Sequence, residues 1–381
     1  MPLTFTHVVG LAGLIALTTP ACADFITLGK PEGTRATSVR RLSYDGSVAI
    51  GATGVSIAGQ PESFSWTHVT GRVDVLAPSG GTYLDLSAVT DTSQVVYGRE
   101  NFSTAPRAKI LRRSALGGEW ETVFVAQGNS NPELRDVSGD GNILIGNVNN
   151  AGNSLPYRWT TQTGMVTLPI PYAGDDGALA YAASADASVI IGNSYYLDGN
   201  DNRITRASRW LADGTVQQLP SLPGSFYQEP QAYEVSADGR YTVGSSDNSN
   251  GELVPVRWLE NNTPEYLGLL PGFAYGSGRS ASQDGSLIVG ICNSFGLRLA
   301  FAWTEETGIL PLAQFLAGNG VTVPGGTILE EAWAVSADGT TVGGTALLAN
   351  GSREGFIARI PTPSTLAALG LLMLTPRRRQ M

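Results

Sequence analysis

The sequence predicts an all-β chain: a seven-bladed β-propeller of four-stranded blades, closed by an N-terminal strand that joins the last blade. Three observations predict it. A nine-residue pattern, Ser-x-Asp-Gly-x-x-x-x-Gly, recurs seven times along the chain, five times to the letter and twice in the variant forms "TDTSQVVYG" and "SADASVIIG". Each recurrence is followed, in fixed order, by a strand usually ending in Trp and a strand usually containing Leu. The last recurrence lacks its Leu strand, while an orphan strand, "DFITLG", stands ahead of the first.

Composition agrees with this. The 381 residues are 42% hydrophobic, with 47 Gly and 21 Pro, so the chain can bury a large core between many turns. Beta-branched and aromatic residues come in short runs, and no long stretch outside the termini has helical periodicity.

The pattern closes at Gly51, Gly98, Gly146, Gly192, Gly244, Gly290 and Gly344, spaced 47, 48, 46, 52, 46 and 54 residues apart. A period near 48 marks a repeat architecture rather than separate domains. Within a period, strand a leads into the Ser-x-Asp-Gly turn and strand b runs to the closing Gly. Strand c ends at Trp66, Trp159, Trp210, Trp258 or Trp303, with "KIL" and "FIA" in copies two and seven. Strand d holds "VDVL", "MVTL", "TVQQL" or "GILPL". Asp-Gly suits the a–b turn because Gly takes positive φ without steric cost, while the Ser and Asp side chains bond nearby amides. The pattern therefore reads as structural. The seventh copy ends on strand c ("GFIARI"), so "DFITLG" is expected to supply its fourth strand and leave no bare edge. A β-solenoid would share the period, but needs no strand borrowed from the far end and carries caps.

These copies, over residues 24–360, resemble the HAF-repeat family of bacterial extracellular proteins. "AFAW", Ala300 to Trp303, is the closest literal match. The resemblance implies export and a repeat fold, and it implies no activity.

The two ends read as addresses. "VVGLAGLIAL" is an apolar run, and Ala21 and Ala23 are the small residues signal peptidase needs, so residues 1–23 are expected to be a signal peptide cut before Asp24. Thr19-Pro20 ahead of Cys22 departs from a lipobox. Residues 361–381 run Pro361-x-Pro363, an apolar stretch from Leu366 to Leu374, then Arg377, Arg378 and Arg379. That stretch is too short to span a bilayer, and the arginines behave as a positive-inside stop. The tail resembles the PEP-CTERM sorting signal, which implies processing by an exosortase-like enzyme. Delivery to the bacterial cell surface or extracellular matrix is expected, with the tail holding the chain at the membrane in transit.

Between its ends the chain has 21 basic and 33 acidic groups, a net −12. So acidic a body repels phosphate backbones, and nucleic acid is not an expected partner. Only His7 and His68 are present, and only Cys292 remains once the signal is lost. No Ser-His-Asp set or multi-ligand zinc site can be built from these, and no disulfide is expected. No cofactor or metal is implied. Asp198, Asn200 and Asn202 have the spacing that opens a calcium loop, but Arg203 and Arg209 stand where such a loop places Gly and Glu, so a solvated b–c loop is expected.

The best site candidate lies on the innermost strands. Three residues ahead of each motif Ser, or Thr90 in copy two, come Arg40, Ser87, Arg135, Tyr181, Tyr233, Arg279 and Trp333. Two places later come Leu42, Val89, Val137, Ala183, Val235, Ala281 and Val335. The first set is expected to ring the mouth of a central channel, where Arg40, Arg135, Tyr181, Tyr233, Arg279 and Trp333 suit an anionic or sugar ligand. The competing expectation is that they fill a tapering channel and pair with Asp136 or Glu234. The leading function is a non-catalytic binding or scaffold propeller for extracellular polysaccharide or a surface protein, recognising it through the loops of one face, such as "LPGSFYQEP". A carbohydrate-active enzyme using two loop carboxylates, and a purely structural matrix component, are the alternatives.

Overall fold

The computed structural model describes residues 23–54, 62–91, 95–127, 130–150 and 153–361. Ala21, Pro363, Arg377, Arg378 and Arg379, and with them nearly all of the proposed signal and sorting tail, lie outside the described residues.

Seven four-stranded antiparallel sheets form a closed ring. The chain opens with β1 (Asp24–Thr27). Blade 1 is β2 (Thr37–Leu42), β3 (Val48–Thr53), β4 (Ser63–Thr67) and β5 (Gly71–Val75); blade 2 is β6 (Tyr83–Val89), β7 (Val95–Asn101), β8 (Ala108–Ser114) and β9 (Glu121–Val125). Blade 3 is β10 (Glu133–Val137), β11 (Leu144–Asn150), β12 (Asn153–Thr160) and β13 (Gly164–Thr167); blade 4 is β14 (Gly177–Ala183), β15 (Val189–Leu197), β16 (Arg203–Leu211) and β17 (Val216–Gln218). Blade 5 is β18 (Gln231–Val235), β19 (Thr242–Asp247), β20 (Leu253–Trp258) and β21 (Pro264–Tyr266); blade 6 is β22 (Tyr275–Ala281), β23 (Ile288–Ser294), β24 (Leu297–Thr304) and β25 (Gly308–Pro311). A helix, α1 (Leu312–Gly318), precedes β26 (Ile328–Val335), β27 (Thr341–Leu347) and β28 (Arg353–Arg359) of blade 7.

The ring closes as the orphan strand requires. β1 is the outer strand of blade 7, pairing Asp24 with Arg359, Phe25 with Ala358, Ile26 with Ile357 and Thr27 with Phe356. Phe25 stacks on Phe356 with ring centroids 5.5 Å apart. The Thr37 hydroxyl donates to the Gly29 carbonyl at 2.7 Å and accepts from the Gly355 amide at 2.9 Å, tying the joint to blade 1. Ala23 packs against the blade 6–7 core, and Pro361 is buried where β28 ends.

Local chemistry builds each a–b turn. In blade 1 the Ser43 hydroxyl donates to Asp45 Oδ1 at 2.8 Å, and Asp45 Oδ1 also accepts from the Ser47 amide at 3.0 Å. The Val48 amide donates back to Ser43 Oγ at 3.0 Å. The Ser-to-Asp bond recurs in blades 3 to 7 at 2.5–2.9 Å. Blade 4 has Ala187 where blades 1, 3, 5, 6 and 7 have Gly, and it is held at φ 51°.

The blades join through apolar packing and through tryptophan. Val48, Ile50, Leu84, Leu86 and Val96 make one core between blades 1 and 2. Trp210 of blade 4 donates its indole N–H to the Pro169 carbonyl behind blade 3 at 2.8 Å, and Trp258 repeats this to Pro220 at 2.7 Å. In blades 4 and 5 the Trp at the end of strand c thus pairs with the Leu-Pro that follows strand d of the blade before.

A short helix, α1, sits within the all-β ring. It spans two turns, begins at Pro311 without a side-chain cap, and buries Leu312 and Leu316 in the blade 6–7 core. So short a segment carries too little periodicity to declare itself.

Candidate functional site

Each innermost strand carries a β-bulge, and the bulged residue is the predicted ring residue. Pairing skips one residue between Val39 and Arg41, Leu86 and Ala88, Leu134 and Asp136, and Ala180 and Ala182. It does the same between Ala232 and Glu234, Gly278 and Ser280, and Ala332 and Ala334. The skipped residues are Arg40, Ser87, Arg135, Tyr181, Tyr233, Arg279 and Trp333. The closing glycine of the repeat makes the bulge possible. A Cβ on Gly146 would stand 1.9 Å from the Glu133 carbonyl oxygen, two residues ahead of Arg135. The same contact falls at 1.9–2.2 Å for Gly51, Gly192, Gly244, Gly290 and Gly344. Only a residue without a side chain lets strand a fold down over strand b there.

All six predicted ligand residues, with Ser87, line one cavity of about 480 Å³ at the channel mouth. They form a stacked arc. Arg40 lies over the Trp333 ring at 4.4 Å, and Arg279 lies 4.9 Å from the same ring and 4.3 Å from Tyr233. Arg135 lies 5.7 Å from Tyr181. Arg135 also pairs with Glu133 at 2.6 Å. Among the described residues neither Arg40 nor Arg279 has an ion-pair partner, and the buried Arg279 Nε has no hydrogen-bond acceptor. Glu331, the carboxylate whose charge acts most on the two arginines, is taken by Arg298 at 2.6 Å and by the Trp333 indole at 2.9 Å. Arg40 keeps open surface toward the channel, yet crowding desolvates its guanidinium. Burial lowers the pKa of Arg40, against the pull of Glu331 and Asp85. Burial likewise lowers that of Arg279, with the charge of Arg40 adding to the effect. Both remain guanidinium cations, so they stand partly dehydrated without an anion of their own.

The expected partners of the ring arginines, Asp136 and Glu234, instead hold Arg41. Arg41 reaches across the channel, donating Nη1 to Glu234 at 3.0 Å, with Asp136 at 3.7 Å. Its Nη2 donates to the carbonyls of Arg135 and Tyr181 at 3.1 and 3.0 Å, two bulged residues of the ring. Asp136 also accepts from the Ala183 amide at 2.9 Å. Strict alternation turns residue 41 away from the channel; the bulge brings it back beside Arg40. Burial pushes the Glu234 carboxyl up to about 7, Arg41 opposing and Asp136 adding to the shift. Asp136 and Glu234 raise the pKa of Arg41 against its own burial.

Beyond Arg41, toward the a–b turns, lies a vestibule of about 100 Å³ lined by the predicted apolar ring of Leu42, Val89, Val137, Ala183, Val235, Ala281 and Val335. The second residue of each turn motif belts this end. Asp91 donates its amide to the Gly139 carbonyl (3.1 Å), Gly139 to Ala185 (2.7 Å) and Ala185 to Ala237 (2.9 Å). Gln283 donates to Ala337 (2.8 Å) and Ala337 to Tyr44 (2.9 Å). Burial raises the Asp91 carboxyl to about 6, with the charges of Asp136 and Asp45 adding to it.

The other candidates fall elsewhere. Asp198 accepts from the Asn200 and Asn202 amides at 2.8 and 2.9 Å and from the Asn202 side chain at 3.0 Å, so both its oxygens serve the β15–β16 loop. Cys292 is buried, which raises its thiol to about 11, and His68 is exposed in the β4–β5 turn. Among the described residues, His, Cys, Asp and Glu form no group of three that could hold a metal ion.

No protein-family model matches the chain, and no curated protein matches it in sequence. Solved structures do. The β-propeller domain of the Trilobed protease from Pyrococcus furiosus superposes with a TM-score of 0.56 at 10% identity, over 85% of this chain and 95% of that one. An oligogalacturonate lyase in complex with manganese superposes with a TM-score of 0.56 at 12% identity, over 90% of this chain and 98% of that one. At such identities the likeness is one of fold, and this chain is a seven-bladed β-propeller. The Pyrococcus domain is described as an open-velcro ring, whereas here β1 hydrogen-bonds to β28 and closes it.

Proposed function

We propose that this chain is an exported, non-catalytic propeller that binds an anionic extracellular polysaccharide through the arginine and aromatic ring at its channel mouth. One observation carries the reading: Arg40 and Arg279 are held in place on the faces of Trp333 and Tyr233, partly dehydrated, with no carboxylate paired to either among the described residues. Stacking occupies the flat side of a guanidinium and leaves its N–H edge free for a carboxylate, which it grips through two parallel bonds. The cavity lining carries Arg40, Arg41, Arg135 and Arg279 against Asp85 and Glu234, a cationic spot in a body of net −12. That body repels a polyanion at long range, so the ring selects a chain end or short segment whose carboxylate can enter the mouth. The sequence features of the two ends and the HAF-repeat and PEP-CTERM resemblances support delivery to the cell surface or matrix.

The test is titration calorimetry with soluble oligogalacturonates and oligomannuronates beside their methyl esters. The acids should bind, and the esters and the R40A/R135A/R279A variant should bind at least tenfold more weakly. Equal affinity for acid and ester would defeat the reading.

A further inference from the structure

Phe226 and Tyr227 stand side by side on the loop between β17 and β18, 66% and 60% exposed. Their rings meet edge to face, centroids 4.7 Å apart at 82°. The loop beneath them is held from below by blade 5. Asp247, 1% exposed, accepts from the amides of Tyr227 at 2.5 Å, Gln228 at 3.3 Å and Glu229 at 3.1 Å. The Phe226 amide donates to the Asn248 carbonyl at 3.1 Å, and Gln228 is kept at φ 60°. The Tyr227 ring lies over Gly251, where a Cβ would stand 2.5 Å from its Cε2. A buried carboxylate, a left-handed residue and a glycine thus hold two large rings out in water. Exposed rings that gain nothing by being exposed do not need such support.

Ser225 and Gln228, the residues on either side of the pair, line a cleft of about 440 Å³ together with Tyr172, Arg206, Gln218 and Ser221. Arg206 is sandwiched between Tyr172 at 4.8 Å and Tyr196 at 4.5 Å, and its charge is met by Asp175 at 3.1 Å. This cleft therefore offers hydroxyl, amide and guanidinium edges without an unpaired charge, with the fixed ring pair held between two of its lining residues. Pyranose rings present the matching surface, a flat C–H face with hydroxyls at its rim.

We propose that Phe226, Tyr227 and this cleft form a second subsite, separate from the channel, that takes an uncharged pyranose residue. The inference rests on the polysaccharide reading and extends it: a chain with acidic and neutral sugars would engage both places, gaining affinity from the link between them.

The test uses the full chain in affinity electrophoresis, through gels holding a soluble neutral β-glucan, galactan or mannan. Wild type should be retarded by at least one of them. F226A/Y227A should weaken that retardation at least tenfold, with its melting curve unchanged because both rings are exposed. D247A, which frees the loop, should fall between, and R40A/R135A/R279A should be retarded like wild type. No retardation of wild type by any of the three polymers overturns the subsite, as does equal retardation of F226A/Y227A. So does sedimentation showing that wild type self-associates and F226A/Y227A does not, since the pair would then be a protein contact. The oligogalacturonate titration reads the channel separately, so either site can fail alone.

Discussion

Arg41 of blade 1 donates to Glu234 of blade 5 at 3.0 Å, spanning the channel from one side to the other. Through its second nitrogen it also holds the carbonyls of Arg135 and Tyr181, so the residue that plugs the channel braces the ring above it.

Removing that brace exposes its cost. Arg41→Met leaves Glu234 and Asp136 buried beside each other without their cation, a loss of about 3–5 kcal/mol near pH 8. At pH 5.5 Glu234 takes up a proton and the loss should shrink. R41M/E234Q should recover part of it at pH 8. Denaturant titration of the three proteins at both pH values checks this.

The stability of the whole ring should fall as pH rises through the mildly acidic range. Asp91 has its folded pKa raised from 3.8 to about 6, so its contribution is full below about pH 4 and is lost as pH passes 6. Glu234 shifts the same way, to about 7. The turn aspartates Asp45, Asp186 and Asp284 oppose this at lower pH. Burial would raise them, but hydrogen bonds from Ser47, Ser188 and Ser286 outweigh it, so their contribution is present above about pH 4 and lost below. Maximal stability should lie near pH 4.5–5.5. Melting curves of wild type and Asp91→Asn at pH 5 and 7.5 should show wild type losing more, by about 1 kcal/mol after solvent screening.

Two glycines in blade 3 should separate two kinds of requirement. Gly146→Ala sets a Cβ 1.9 Å from the Glu133 oxygen, so the bulge must open, at about 3 kcal/mol or more. Gly164→Ala meets nothing within 4 Å and suffers only its φ of 64°, about 1 kcal/mol. The first should also weaken oligo-uronide binding by displacing Arg135; the second should leave it intact. Loss of binding in both would mean that the bulge does not position the ring.

Phe25 is half-buried where β1 seals blade 7. Phe25→Ala should destabilise by about 1–2 kcal/mol, less than a full core truncation, and should speed amide exchange most in residues 353–359. Uniform acceleration around the ring would contradict a local joint.

Seven blades are legible in the sequence because the a–b turns of blades 1 and 3 to 7 depend on the same side-chain bond, as Ser43 to Asp45 shows, and turn chemistry is local. The borrowed strand is legible because copy seven lacks a part that the N-terminus holds. The ring is legible by counting back from each motif Ser, since the bulge falls at the same place in every blade. Arg41 is not legible as the channel plug, because period-two alternation places it on the far side of its strand. The closing glycine was the available signal: a side chain missing at every period implies a close backbone approach there. Phe226 and Tyr227 sit in a recognisable loop, but nothing near them in sequence announces Asp247, whose bonds come from another strand.

The most direct test of the binding reading is titration of oligogalacturonate into wild type and R40A/R135A/R279A, with reducing ends assayed in the same samples. Saturable binding by wild type, at least tenfold weaker in the variant and with no new reducing ends, is the expected result. Equal binding by both proteins would remove the ring as the site, and release of reducing ends by wild type would contradict a non-catalytic propeller.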